Sequence, residues 1–159
     1  LAAIMFTDIV GYTRIMGQDE ETALTILEQN RAIHHKWITR YRGKLLKEMG
    51  DGIIAIFYTV TEAVLCAIDI QKEIKSQNKF GVRMGIHISE IVFTDTDAFG
   101  DGVNIASRIS NQAQAGEICF SEGVYQNIRN RETLNIEKGE IKELKNVADP
   151  IQLYKLTGT

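Results

Sequence analysis

Two acidic residues that stand far apart in the sequence, Asp8 and Asp51, each flank an apolar run. Asp8 follows residues 1–6, and Asp51 precedes residues 52–58 within the segment KEMGDGIIAIF. An Asp-Gly turn between two apolar segments is typical of a β-hairpin. A hairpin explains the glycines and accommodates Asp51. It does not explain Lys47, a cation in a strand whose neighbouring residues are largely apolar.

The elements that must position these residues follow a regular order. Residues 1–6 read as a buried strand, and Asp19 can cap a helix that extends to about Tyr41. The order strand, helix, strand, strand, helix, strand predicts an α+β fold with a ferredoxin-like βαββαβ core. The other segments of this core are predicted to be strands 43–49 and 52–58, a helix over 61–75 and a β-rich segment over 82–93.

A C-terminal α/β extension should complete the fold. It is predicted to contain a loop over 94–102, a helix over 103–113, a strand over 118–120, a short helix over 121–128 and a hairpin of residues 134–144 with 151–156. The chain has 159 residues, which fits one domain spanning 1–159. Because it opens directly on strand-like residues, we expect it to be a domain cut from a longer protein.

The predicted topology brings the two aspartates together. In a ferredoxin-like sheet the first strand lies antiparallel to the third, so Asp8 at the end of one strand neighbours Asp51 at the start of the other. Two adjacent carboxylates repel each other, and a bound divalent cation would relieve that repulsion. The alternative is a pair of solvated turn residues.

A second group of polar residues lies on the predicted helix 103–113. Asn104 and Arg108 are four positions apart and therefore share one face of the helix. Such a pair by itself is equally typical of a solvated surface. On the long helix, His34 and His35 are predicted to lie at the surface.

Composition excludes several classes of protein. The formal net charge of −3 argues against a nucleic-acid binder, which would carry a basic face. The longest apolar runs are too short to cross a bilayer, and no secretory signal is evident at the start. Cys66 and Cys119 lie in apolar segments and are predicted to be reduced core residues. We therefore expect a cytoplasmic domain without membrane contact of its own, although the full-length protein could be membrane-anchored.

Four segments resemble a known family in their order and spacing. They are FTDIVGYT (6–13), KEMGDG (47–52), VRMGIH (82–87) and DAFGDGVNIASR (97–108). Together with LKNVADPIQLYKL (144–156), they are similar to the class III nucleotide cyclase catalytic domains. The resemblance spans essentially the whole chain, and four separated motifs in register are a specific signal.

The resemblance implies a role for each matching residue. Asp8 and Asp51 match the family's metal-binding aspartates, with the backbone carbonyl of Ile9 as a further ligand, for two Mg²⁺ or Mn²⁺ ions per site. Lys47 matches the lysine that reads the purine ring, and Asp97 matches its acidic partner.

The other matching residues would handle the ribose and the phosphates. Asn104 matches the asparagine that orients the ribose, and Arg108 the arginine that stabilises the transition state. Arg83 and Lys145 match positions that contact the triphosphate. The loop residues whose backbone N–H groups can bind phosphate oxygens are Gly11, Tyr12 and Thr13.

The implied activity is conversion of ATP to 3′,5′-cyclic AMP and pyrophosphate at the interface of a homodimer, in signal transduction. A lysine donor and an aspartate acceptor complement N1 and the 6-amino group of adenine, whereas guanine presents the opposite polarity. The alternatives are a guanylate or relaxed-specificity cyclase, and a catalytically silent regulatory partner. Two positions depart from the usual family pattern, Ser89 and Asn146, and the second bears on the loop geometry around Lys145.

Overall fold

The computed structural model describes residues 1–93, 98–99 and 101–157. Within them the fold alternates strands and helices around one large sheet. In chain order the elements are β1 (Ala2–Ile9), α1 (Tyr12–Gln18), α2 (Glu20–Arg40), β2 (Lys44–Met49), β3 (Gly52–Phe57), α3 (Val60–Gln77), β4 (Val82–Ser89), β5 (Val92–Phe93), β6 (Ala98–Phe99), α4 (Asp101–Ser110), β7 (Ile118–Ser121), α5 (Glu122–Ile128), β8 (Asn135–Lys142) and β9 (Ile151–Thr157).

The main sheet has seven strands in the order β2-β3-β1-β4-β7-β9-β8. Its first four strands have the order and antiparallel pairing of the ferredoxin-like core, so the predicted α+β fold is confirmed. Strands β7, β9 and β8 extend the sheet beyond β4, with β7 parallel to β4. Strands β5 and β6 pair with each other outside this sheet.

Two faces of the sheet carry different helices because the strand residues alternate in direction. On β1, Ala3 and Met5 belong to the large core beneath α2, α3 and α5. Ile4 and Phe6 point to the opposite face, where they cluster with Ala106 of α4. The first face is therefore a deep apolar core, while α4 is the main helical cover of the second.

Both long helices begin with capping side chains. Asp19 accepts a hydrogen bond from the backbone N–H of Thr22 at 3.1 Å, as its N-cap position predicts. Thr59 accepts from the N–H of Glu62 at 3.1 Å at the start of α3. In the described part of the chain, no helix is both long and apolar enough to span a membrane. Cys66 and Cys119 are buried and unpaired with each other, as predicted.

Several expectations about element boundaries were wrong. Helix α1 was not predicted. Tyr12, Ile15 and Met16 form a short apolar stripe, and Tyr12 and Ile15 pack against the large core, but seven residues are too few for this periodicity to decide between a helix and a loop. The segment predicted as one β-rich stretch over 82–93 divides into β4 and the separate strand β5. Helix α4 begins at Asp101 and ends at Ser110, earlier at both ends than predicted.

His34 is a further correction, because it is fully buried and not at the helix surface. Its imidazole is satisfied on both sides: Nε2 lies 2.8 Å from Oγ1 of Thr7, and Nδ1 lies 2.9 Å from the carbonyl oxygen of Asn30. His35 is exposed, as predicted. Position 34 lies on the buried stripe of α2, four residues after the buried Asn30, so helical periodicity indicated burial and the polar residue type misled the prediction.

Candidate active site

The two aspartates meet at one end of β1, as the topology predicted. The backbone N–H of Ile9 donates a hydrogen bond to Oδ2 of Asp51 at 2.8 Å, which fixes the β2–β3 turn against the end of β1. Asp8 is the preceding residue on β1. Partial burial raises the pKa of Asp51, and the negative charge of Asp8 adds to that rise. A second carboxylate beside one whose ionisation is already disfavoured forms a site suited to a cation.

Arg83 holds the Asp8 carboxylate from the neighbouring strand. The two residues are directly opposite in the antiparallel β1–β4 register. The guanidinium donates from Nε to Oδ1 at 2.7 Å and from Nη2 to Oδ2 at 3.2 Å. The same Nη2 lies 3.1 Å from Oδ1 of Asn111, just beyond α4. The hydrogen bonds and charge of Asp8 raise the pKa of Arg83.

Sequence reasoning missed this pair, although a signal was present. The ferredoxin-like order places β4 beside β1, and both residues stand near the strand ends that meet. The family resemblance predicts only a phosphate contact for Arg83. Its place beside Asp8 follows from the register, which the sequence did not specify.

The donor set fits a hard divalent cation. Asp8 and Asp51 offer carboxylate oxygens, and the Ile9 carbonyl is a further oxygen in the same segment, as Mg²⁺ or Mn²⁺ prefers. Among the residues that the structure describes, no group of three or more His, Cys, Asp and Glu side chains is arranged for metal binding. The protein would thus supply a partial coordination shell, as is usual where substrate phosphates and water complete it.

The segment after β1 is the start of a helix. Gly11 is the N-cap of α1 with φ of +73°, a left-handed conformation that glycine adopts without strain. Tyr12 and Thr13 open the helix, and Tyr12 packs against the large core. The first N–H groups of a helix have no intrahelical partners, so the predicted donors to phosphate lie in a suitable element.

A bulge in β2 directs Lys47. The β2–β3 register shifts between Leu45 and Lys47, so that Lys47 is opposite Ile54. Ile54 belongs to the cluster on the α4 face, and Lys47 therefore shares the face on which α4 lies. Glu48 points to the other face and pairs with Arg31 of α2 at 2.8 Å.

Helix α4 carries Asn104 and Arg108 close to the sheet because β4 has a glycine beneath it. A Cβ on Gly85 would lie 2.4 Å from the carbonyl oxygen of Ala106 and 2.4 Å from the backbone nitrogen of Ser110. Both predicted residues are half-buried. Nε of Arg108 is buried without a hydrogen-bond partner in the described structure. An unsatisfied guanidinium N–H at this place suits an anionic ligand.

The closing segment adopts the expected turn despite its departure from the family pattern. Asn146 has φ of +61°, the left-handed conformation for which glycine is usual and which asparagine tolerates. The N–H of Val147 donates to the carbonyl oxygen of Leu144 at 3.1 Å, and Lys145 is exposed in this turn. A cavity of about 300 Å³ lies between Asn104 of α4 and the segment 146–149. Asp97 lies outside the described residues.

The chain matches the family model of the adenylate and guanylate cyclase catalytic domain over residues 2–158. It belongs to this family. A cyclase relative from Rhizobium meliloti, described as putative adenylate cyclase 3, is 30% identical over 97% of this chain, which spans 28% of that protein. The chain thus corresponds to a minor part of that relative's length.

Solved structures agree with this assignment. The adenylate/guanylate cyclase/hydrolase from Silicibacter pomeroyi is 30% identical, with a TM-score of 0.86 over 99% of this chain and 96% of that one. The adenylyl cyclase CyaB from P. aeruginosa has a TM-score of 0.87 at 22% identity, covering 99% of this chain and 94% of that chain, and it supports the fold alone. The chain therefore has the architecture of the cyclase catalytic domains.

Proposed function

We propose that this cyclase domain is an adenylate cyclase that converts ATP to 3′,5′-cyclic AMP and pyrophosphate. The observation that carries the proposal is the hydrogen bond from the Ile9 N–H to Asp51, which fixes a second carboxylate beside Asp8. Catalytic domains of this family generally depend on divalent metal ions. Asp8, Asp51 and the Ile9 carbonyl are the residues that would hold two Mg²⁺ or Mn²⁺ ions.

The reaction is an in-line attack of the ribose 3′-oxygen on the α-phosphorus, which breaks the bond to the pyrophosphate leaving group. Bound divalent ions would promote loss of the hydroxyl proton and neutralise charge on the leaving phosphates. Asn104 orients the ribose so that the 3′-oxygen faces the phosphorus. Arg108 offers an always-charged donor where negative charge develops, and its buried, unsatisfied Nε is available for that contact.

Phosphate binding falls to residues around the end of β1 and in the closing turn. Gly11, Tyr12 and Thr13 lie at the start of α1, where their N–H groups would donate to phosphate oxygens. Arg83 and Lys145 are the further cations proposed to contact the triphosphate. Since the chain has a formal net charge of −3, these local donors and the metal must hold the anionic substrate.

Choice of base is assigned to Lys47 together with Asp97. Lys47 donates to N1 of adenine, and the Asp97 carboxylate accepts from the 6-amino group. With guanine, the Lys47 donor would face the N1–H donor, and the Asp97 acceptor would face the O6 acceptor. A buried donor or acceptor left unpaired in this way costs about 1–3 kcal/mol, so ATP is favoured over GTP.

The working unit is a homodimer in which each active site takes residues from both protomers. One protomer supplies the metal carboxylates. Its partner supplies the purine readers with Asn104 and Arg108. Leu46 and Ile56 of the sheet and Val103 of α4 are partly buried apolar residues on this face, and they suit such an interface.

The test of substrate choice compares ATP and GTP as substrates of the purified protein, with Mg²⁺ and with Mn²⁺. The double variant Lys47→Glu with Asp97→Cys should lower kcat/KM for ATP and raise that for GTP, because both hydrogen-bond polarities change. Lys44→Glu is the matched control, since Lys44 is exposed on the same strand.

Two results would contradict the proposal. An unchanged ratio of ATP to GTP in the double variant would remove base recognition from these residues. No cyclisation of either nucleotide by the wild-type protein, with either metal, would favour a silent regulatory domain instead.

A further inference from the structure

The Asp8 carboxylate is already neutralised by the protein itself. Both of its oxygens accept hydrogen bonds from Arg83, at 2.7 and 3.2 Å. The two side chains are only 18% and 32% exposed, so water weakens this pair less than it would a surface pair. Bidentate contacts between arginine and carboxylate are among the stronger ion pairs in proteins.

Arg83 is also held from the side away from Asp8. Its Nη2 lies 3.1 Å from Oδ1 of Asn111. The backbone N–H of Asn111 in turn donates to the carbonyl oxygen of Ser107 at 3.2 Å, which fixes Asn111 to the end of α4. The guanidinium therefore bridges β1, β4 and the end of α4.

Within the described part of the chain, no cationic side chain donates a hydrogen bond to Asp51. It accepts a hydrogen bond from the Ile9 N–H at 2.8 Å. The positive charge of Arg83 therefore lies near two carboxylates, those of Asp8 and Asp51. A divalent ion would balance both charges, but it would need the Asp8 oxygens to which Arg83 now donates.

We propose that Arg83 is the resident counter-cation of Asp8, and that a divalent metal ion must displace it to bind. This inference rests on the proposed metal site of the cyclase. The displaced guanidinium needs a new acceptor, and a triphosphate supplies phosphate oxygens that match its fork. Metal alone then binds weakly, while metal and triphosphate favour each other's binding. Because such coupling is reciprocal, Arg83 makes occupancy of the metal site depend on the nucleotide.

Mn²⁺ binding to the nucleotide-free protein tests this displacement directly. The electron paramagnetic resonance signal of unbound Mn²⁺ measures affinity without any enzyme assay. Arg83→Gln should bind Mn²⁺ about tenfold or more tightly than wild type, because the competing charge-assisted hydrogen bonds are gone. The matched control is Arg42→Gln, an arginine paired with Glu62 at 2.8 Å near the opposite end of the sheet, which should bind like wild type.

Two further variants separate displacement from a general effect of charge. Asn111→Ala leaves both charges in place but removes the second anchor of the guanidinium, so it should tighten Mn²⁺ binding by a smaller factor. Arg83→Lys keeps the positive charge without the fork and should fall between wild type and Arg83→Gln. Circular dichroism shows whether each variant is folded. If Arg83→Gln is unfolded, the Mn²⁺ affinity of Asn111→Ala decides the test. An affinity in Asn111→Ala equal to that of wild type then overturns the inference.

Asp51→Asn distinguishes failure of this inference from failure of the metal site. Equal Mn²⁺ affinity in wild type and Arg83→Gln, with weaker binding in Asp51→Asn, would overturn the displacement and leave the site in place. Mn²⁺ binding that none of these substitutions alters would overturn both. Tighter binding in Arg83→Gln that is lost when Asp51→Asn is added supports both.

Discussion

At the scale of single residues, the candidate site contains two carboxylates that are held in place, Asp8 by the Arg83 side chain and Asp51 by the Ile9 N–H. Asp51 is a turn residue, yet it is partly buried and tied to β1 through the Ile9 N–H. That contact gives it a structural role as well as the proposed role in metal binding. The two roles can be separated, because the hydrogen bond needs an oxygen acceptor, whereas the metal needs the charge.

Asp51→Asn should retain the fold and lose activity. The new amide oxygen can accept from the Ile9 N–H, and asparagine suits a turn. Loss of the ligand charge should reduce kcat by roughly a hundredfold or more, which corresponds to about 2.7 kcal/mol. Cyclic AMP formation and thermal unfolding are the two measurements. Near-normal turnover, or a loss of folding that parallels the loss of turnover, would return Asp51 to a purely structural role.

The buried His34 predicts a pH dependence of stability. Burial is the main cause that lowers its pKa from 6.5 to about 4. Since the folded protein binds this proton less readily than the unfolded chain, stability is fully present above pH 6.5. It falls as the pH drops from 6.5 towards 4, by about 3 kcal/mol in total.

Chemical denaturation across that pH range measures the loss. His34→Gln should show a shallower decline than wild type, because the titrating group is absent. His35→Gln is the matched control, since His35 is exposed one position along the same helix. The charged groups that also act on the His34 imidazole are His35 and Glu48. Identical slopes in wild type and His34→Gln would contradict the assignment.

At the scale of elements, sequence reasoning succeeded where chain topology alone fixes geometry. The meeting of Asp8 and Asp51 follows from the strand order and direction of the ferredoxin-like core, which the succession of predicted strands and helices indicates. Sequence reasoning failed where the local strand register or the exposure of a helix decides where a residue lies. The bulge that directs Lys47 lies in a strand with two successive leucines, so alternation could not locate it. Helix α1 has seven residues and fully buries none of them, so its apolar stripe is too short to predict a helix.

The close packing of α4 on β4 predicts a cost for a single methyl group. Gly85→Ala would place its Cβ against the backbone of Ala106 and Ser110, both at 2.4 Å, and backbone cannot yield as a flexible side chain can. We expect a loss of about 1–3 kcal/mol in unfolding free energy. Because α4 must move away from the sheet, kcat should also fall.

Gly17→Ala is the matched control for that substitution. Gly17 lies within α1, and no atom within 4 Å would meet an added Cβ. Its stability should be unchanged or slightly higher, since alanine is the better helix former. Equal stability of Gly85→Ala and wild type in urea denaturation would show that the α4 contact is looser than the structure indicates.

At the scale of the whole molecule, the proposed residues fall into two groups on different elements. The carboxylates lie at the end of β1 and in the β2–β3 turn, while Asn104 and Arg108 lie on α4. In a symmetric dimer, an interface site that takes one group from each protomer occurs twice. Neither protomer then holds a complete site, and two inactive variants can complement each other.

Asp8→Asn and Arg108→Ala should each be nearly inactive alone, because every site in such a homodimer carries the lesion. Mixed in equal amounts and allowed to exchange subunits, they should recover activity. In each heterodimer one site carries both lesions and the other carries neither. Random pairing makes about half of the dimers mixed, with one good site of two, so about a quarter of wild-type activity should return. Native mass spectrometry verifies the heterodimers, and their presence without recovery would show that Asp8 and Arg108 act within one chain.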